Sequence, residues 1–195
     1  MNELIKHGRE LLRALRNRHF EKAENGLLFP RQHIMVGGYF DTWVNQDEQP
    51  GHDHNIVPSE GLVYLLTSGY LNGTPATALY LAPFSGNITP SASITAANFT
   101  STATEFTAYD EANRVQWQAD AVSGTSVANA TTKAAFTMSS GVTSQTLYGA
   151  GLLSSSTKSG TSGKCLAATR FSSPKTGLNA GDVLNVQYTV SMSST

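Results

Sequence analysis

Proton transfer, nucleophilic attack and transition-metal ligation fall mostly to histidine, cysteine and paired carboxylates, and this chain distributes those residues unevenly. All five histidines, His7, His19, His33, His52 and His54, precede residue 55, and from Glu60 to Thr195 the single thiol is Cys165. His52-Asp53-His54 is the one metal-like constellation, because histidines at i and i+2 share a face of an extended segment and imidazole suits zinc, nickel or copper. Two ligands do not complete a site, and no spacing points to a third among His33, Asp47 or Glu48. The segment therefore reads as a surface loop without metal. Cys165, in GKCLAAT, has no second cysteine to pair with and reads as buried apolar filler.

Other chemistry is weakly represented. SGTSGKC, Ser159 to Cys165, departs from a phosphate-binding loop, with Lys158 where that motif needs Gly and Cys165 where it needs Ser or Thr, and it reads as a hairpin loop. No G-x-S-x-G elbow occurs. Asp110-Glu111 reads as a turn ahead of a strand, paired with Arg114, and Glu105 with Asp120 supplies only the residue types of a two-carboxylate glycosidase. The inventory favours a non-enzymatic protein with no cofactor and no metal.

Composition agrees with an assembled subunit. Charged residues make up 14% of the chain and the net charge is -1, against roughly 25% charged in ordinary soluble domains. Such a surface repels its neighbours weakly. No apolar run approaches the roughly 18 residues of a membrane span, and the N-terminus offers no hydrophobic signal core. Sequons at Asn72, Asn87, Asn98 and Asn129 read as chance products of an Asn/Thr-rich sequence.

The elements fall into three parts. Residues 1–26 form an N-terminal amphipathic helical arm: over residues 2–23, Leu4, Ile5, Leu11, Leu12 and Leu15 line one side at a period of 3.6, with Arg9, Arg13, Arg16 and Lys6 roughly opposite, and Asn25-Gly26 ends the helix. Seven of the thirteen Lys and Arg residues lie in the first 31 positions. Leu4, Ile5, Leu11, Leu12, Leu15, Arg9, Arg13 and Arg16 are the candidate partner-docking residues. Interleaved glutamates weaken the case for membrane or nucleic acid. Residues 27–58 read as a strand and loop linker, with His33 to Asn45 one strand or a bulged hairpin and DEQPGHDHNIVP an exposed connection.

Residues 59–195 read as a β-sandwich domain. Glu60 to Tyr70 is a short helix opened by Ser59, whose Leu62, Leu65, Leu66 and Tyr70 cover one end of a core. Strands are expected over Thr77 to Phe84, Arg114 to Ala119, Ala134 to Met138, Gln145 to Leu153, Cys165 to Phe171 and Asp182 to Met192. The last is clearest, with Leu184, Val186, Tyr188, Val190 and Met192 alternating against polar neighbours. The expected fold is mainly β, an antiparallel β-sandwich or jelly-roll-like body with one short helix and the helical arm.

EGLVYLL (Glu60 to Leu66), Tyr80 to Trp117, LYGAGLLSSSTKSGTSGKCLAATRF (Leu147 to Phe171) and GDVLNVQYTV (Gly181 to Val190) together carry a further likeness. On these residues the stretch from Pro58 onward, about two thirds of the chain, resembles a family of small virion structural proteins of tailed bacteriophages, mostly short-tailed ones. The resemblance implies a place in the virion, assembled in the host cytoplasm, with other virion proteins as partners. Capsid decoration or cementing, anchored by the arm on the major capsid protein, is the leading expectation, with homo-oligomers. A neck or tail component on portal or tail subunits is the second, and a receptor- or glycan-binding module the third; that last role needs Trp43, Tyr39 or Trp117 exposed.

Overall fold

The computed structural model describes residues 20–22, 24, 27–30, 34–45, 47 and 49–194. Most of the expected arm, with all eight candidate docking residues from Leu4 to Arg16, lies outside them. The chain divides into two units, residues 1–35 with 193–195, and Val36–Met192. In the first, β1 (Phe20–Lys22) pairs antiparallel with β2 (Leu28–Pro30) in the register Phe20↔Pro30. The last turn of the expected helix is thus a strand at residues 20–22, and Asn-Gly is a hairpin signal in sequence as much as a helix stop.

The second unit is mainly β, built from two antiparallel sheets. The larger contains β3 (Ile34–Val44), β4 (Gly51–His54), β7 (Ser126–Ala128), β8 (Ala134–Thr137) and β11 (Val183–Ser194), in the order β4-β3-β11-β7 with β8 also on β11. The smaller runs β10-β9-β5-β6, from β5 (Tyr80–Phe84), β6 (Val115–Gln116), β9 (Gln145–Leu153) and β10 (Cys165–Leu178). Phe40, Leu81, Phe136, Leu147, Leu152, Phe171, Leu184, Val186 and Tyr188 form a β-sandwich-like core. The polar segment expected to be a linker supplies β4, and its aspartate explains why: Asp53 is buried and its Oδ1 accepts the Ser172 N–H at 2.6 Å, while the His54 carbonyl accepts the Thr169 hydroxyl.

β11 follows the expected alternation through Leu184, Val186 and Tyr188, all buried, and then departs from it, with Thr189 buried and Met192 exposed. Its neighbour changes there, from β8 along Val183–Val186 to β7 along Thr189–Ser191. Between the two short strands the fully buried Asn129 amide substitutes for a ladder, accepting from the Tyr188 N–H at 2.7 Å and donating to the Val186 carbonyl. One expected sequon is therefore a structural amide. The Ser-Val-Ala of β7 is too short for a pattern to betray it.

Two short helices replace the single one expected. α1 spans Ser59–Tyr70, with Pro58 rather than Ser59 at its N-cap. α2 spans Ala96–Phe99, opened by a reciprocal cap between Thr95 and Asn98, and continues as a π-helical turn over Thr100–Thr104. A second buried cluster, including Phe84, Ile94, Ala96, Phe99, Ala103, Leu153 and Cys165, gives the smaller sheet two buried faces. That accounts for the nearly unbroken burial of β9 from Leu147 to Leu153, where Tyr148 alone is half-exposed. Cys165 is buried as expected, and desolvation first, then the Glu60 charge, pushes its thiol up to about 12.

Glycines in β9 make room for these aromatics. A Cβ on Gly149 would overlap the Phe84 ring and the Thr169 carbonyl, and one on Gly151 would come within 2.5 Å of the Phe99 ring. Overpacking a filled site costs about 1–3 kcal/mol. Gly149→Ala is expected to lower stability by about that amount, read as a reduced urea midpoint at unchanged m-value; a neutral substitution would show that both Phe84 and the Thr169 backbone can shift to make room.

Candidate functional site

α1 is held by its first turn, not by its leucines. Glu60 Oε2 accepts the N–H groups of Ala96 and Cys165, both at 2.8 Å, while Oε1 faces Lys164 Nζ at 3.4 Å. The Ser59 N–H donates to the Ala92 carbonyl, and Gly61 is buried where a Cβ would lie 2.8 Å from the Leu166 carbonyl oxygen. These anchors turn the rest of the helix outward. Leu62, Val63, Leu66 and Tyr70 are 45%, 60%, 57% and 75% exposed, and Leu71 beyond them 74%. The expected cover for a core end is instead a surface, because backbone approach at Gly61 and the Glu60 carboxylate decide which side of α1 faces the sheet.

Leu62, Val63, Leu66 and Tyr70 fall within about 100° of one helix face. Glu60 is the only charged residue in the helix, and its carboxylate is already occupied. A shallow groove beside it is lined by Val63, Tyr64, Thr67, Gly73, Ala76 and Lys164. Burying a large aliphatic or aromatic side chain is worth about 1.5–3 kcal/mol, so this patch leaves several large apolar side chains with their burial unused.

A second surface is the outer face of β3 and β4. The register sets Asp41 opposite His52 and Tyr39 opposite His54. His52 Nδ1 lies 2.7 Å from Asp41 Oδ1, the Tyr39 and His52 ring centroids are 4.5 Å apart, and the two histidine rings stand edge-to-face at 5.5 Å. The expected loop is thus a strand, with both imidazoles outward and Asp53 inward. Among the described residues no group of three or more His, Cys, Asp or Glu is placed to hold a metal ion. Further along this face Lys133 Nζ sits 5.0 Å from the centre of the half-buried Trp43 ring. Trp117, by contrast, packs against the main core and donates its indole N–H to the Tyr188 carbonyl.

A third feature is buried. Glu105 and Arg114 make a two-pronged ion pair, Nε to Oε1 at 2.8 Å and Nη2 to Oε2 at 2.7 Å, with no side-chain exposure on either. Arg114 was expected to pair with Asp110-Glu111; Glu111 instead accepts the Thr137 N–H with both oxygens. Thr100 Oγ1 and the Ser159 N–H also donate to Glu105, and the Ser155 and Gly160 carbonyls accept from Arg114. Lys158 completes the closure, donating to the Thr107 and Tyr109 carbonyls and lying 3.7 Å over the Tyr109 ring. Desolvation holds the Lys158 ammonium below its ordinary pKa, while burial first and the Glu105 charge second hold the Tyr109 phenol above its own.

SGTSGKC therefore belongs to a hairpin loop, residues 154–164 between β9 and β10, as its sequence suggested. Glu105, one half of a carboxylate pair with glycosidase residue types, has both oxygens committed within the core. Asp120 lies at the surface, its Oδ2 accepting the Thr131 N–H. Sequence reasoning missed the roles of Glu60 and Glu105; isolated glutamates in apolar stretches were the available signal. No helix among the described residues is long and apolar enough to cross a membrane. No protein-family model matches the chain, and no curated protein matches it.

Removing one partner of a buried ion pair costs about 3–5 kcal/mol because the other charge stays behind unpaired. Glu105→Ala and Arg114→Ala are each expected to cost that much in denaturant unfolding and to speed amide exchange across residues 154–164. Losses below about 1 kcal/mol, the range of a surface pair, would contradict the buried geometry.

Proposed function

We propose that this chain is a non-enzymatic virion structural protein of a tailed bacteriophage, acting as a capsid decoration or cement protein. The observation that carries the reading is the exposed apolar face of α1: Leu62, Val63, Leu66 and Tyr70 line a helix whose one charge is occupied. Such a face is suited to burial against a neighbouring subunit, and the low charged fraction of 14% suits close packing in a shell. The resemblance to small virion proteins supplies the kind of assembly. Its quoted segments include the first half of α1 and the loop over residues 154–164 that closes on the Glu105–Arg114 pair.

On this reading the jelly-roll-like body presents α1 to the major capsid protein or to another copy of itself, and Leu4, Ile5, Leu11, Leu12 and Leu15, with Arg9, Arg13 and Arg16, add a second attachment. No cofactor is required. The role as a neck or tail subunit uses the same surfaces with a different partner, and the number of copies separates the two.

Quantitative mass spectrometry of purified particles is expected to find this protein near one copy per major capsid subunit, or a simple fraction such as about a third. A count in the range of a portal ring would move it to the neck or tail, and absence would remove the virion role. The double variant Leu66→Glu, Tyr70→Ser is expected to keep its stability within about 0.5 kcal/mol, as surface changes do, and to be lost from particles. Normal incorporation of that variant would show that α1 is not the docking face.

A further inference from the structure

The β3–β4 outer face holds two imidazoles side by side at a ring spacing that one shared metal ion allows. Metal–nitrogen distances of about 2.0–2.1 Å put an ion about 3.2 Å from each ring centre, so two histidines on one tetrahedral ion have centroids about 5.2 Å apart. His52 and His54 stand at 5.5 Å, edge to face, on one side of one strand. Asp41, directly across the ladder, accepts from His52 Nδ1 at 2.7 Å. A carboxylate that accepts the Nδ1–H hydrogen bond holds the proton on Nδ1 and leaves the lone pair on Nε2, the arrangement that orients a ligating histidine from behind. The His52 side chain is 52% exposed, and Tyr39 packs against both rings, at 4.5 and 6.5 Å, restricting their rotamers before any ion arrives.

We infer that His52 and His54 form a two-imidazole site for late divalent transition metals, with Asp41 as the positioning residue and water completing the coordination. Two protein ligands make an open and modest site. Its selectivity follows ligand softness and the usual order of stability: Cu(II) binds most tightly, Ni(II) and Zn(II) less so, and Mg(II) and Ca(II), which need oxygen donors, are excluded. The inference is independent of the virion reading, since it rests on the strand register and ring geometry alone.

Isothermal titration of the full-length protein with CuCl2, NiCl2, ZnCl2 and MgCl2 tests it, alongside His52→Ala, His54→Ala, the double variant and Asp41→Asn. The expected result is saturable one-to-one binding in the order Cu(II) above Ni(II) and Zn(II), with no heat from Mg(II). Each histidine variant should lose at least tenfold in affinity, and Asp41→Asn 10–100-fold, the usual cost of losing such an orienting carboxylate. Unchanged circular dichroism shows that the variants are folded, and imidazole 15N shifts in the wild type, moving at His52 and His54 on adding Zn(II), report the ligands directly. Equal binding by the double variant would assign the ion to His7, His19 or His33 and overturn the inference, as would the absence of saturable binding at millimolar metal.

Discussion

The buried pair of Glu105 and Arg114 is the interaction on which the smaller sheet and its connections depend. Two ions removed from water cost several kcal/mol each, and their attraction offsets that only when the remaining hydrogen-bonding capacity is filled. Here it is filled from separate stretches of chain: Thr100 from the π-helical turn, the Ser159 N–H, and the carbonyls of Ser155 and Gly160. Four of the five N–H donors of the guanidinium are used, two on Glu105 and two on the loop. Loop 154–164 is composed of Ser, Thr, Gly and Lys, with no apolar side chain to bury. Its own turn bonds aside, it is tied to the 100–114 segment by this pair, by the Arg114 N–H on the Ser156 carbonyl and by Lys158 against Tyr109.

A second constraint is the double burial of the smaller sheet. With cores on both faces, β9 cannot carry side chains everywhere, and Gly149 and Gly151 leave the space that Phe84 and Phe99 occupy. The same crowding decides how α1 attaches. β10 admits only a glycine, Gly61, at close range, and Glu60 supplies the cap for two otherwise open N–H groups, those of Ala96 and Cys165. With its first turn bound to the body, α1 presents Leu62, Val63, Leu66 and Tyr70 to the outside. The exposed apolar face is thus a consequence of how the helix is anchored.

Much of this architecture was legible from local pattern. Alternation marked β11, a continuous apolar run marked β9, and frequent turns without alternating helices marked an antiparallel, two-sheet fold; these signals work because burial on one or two faces leaves a periodic trace in the residues themselves. The buried thiol, the hairpin role of SGTSGKC and the existence of α1 followed from the same kind of local information. Propensity was misleading at residues 20–22, where a helix-like composition yields a strand once it pairs with Leu28–Pro30.

What local pattern does not contain is which groups meet across the fold. Asp53 turns a polar, loop-like stretch into a strand because Ser172, far along the chain, offers it an N–H. Asn129 replaces a missing strand because β7 and β8 leave a gap over Tyr188. Arg114 selects Glu105 over the nearer Glu111, and Leu62 and Leu66 of α1 face outward despite their hydrophobicity. Each of these outcomes is set by a partner that local periodicity does not identify, nine residues away for Glu105 and Arg114 and 119 for Asp53 and Ser172. Hydrophobic periodicity records only that a side chain is to be buried or exposed, whereas pairing of charges and orphan backbone groups is settled by geometry that exists once both sheets are in place.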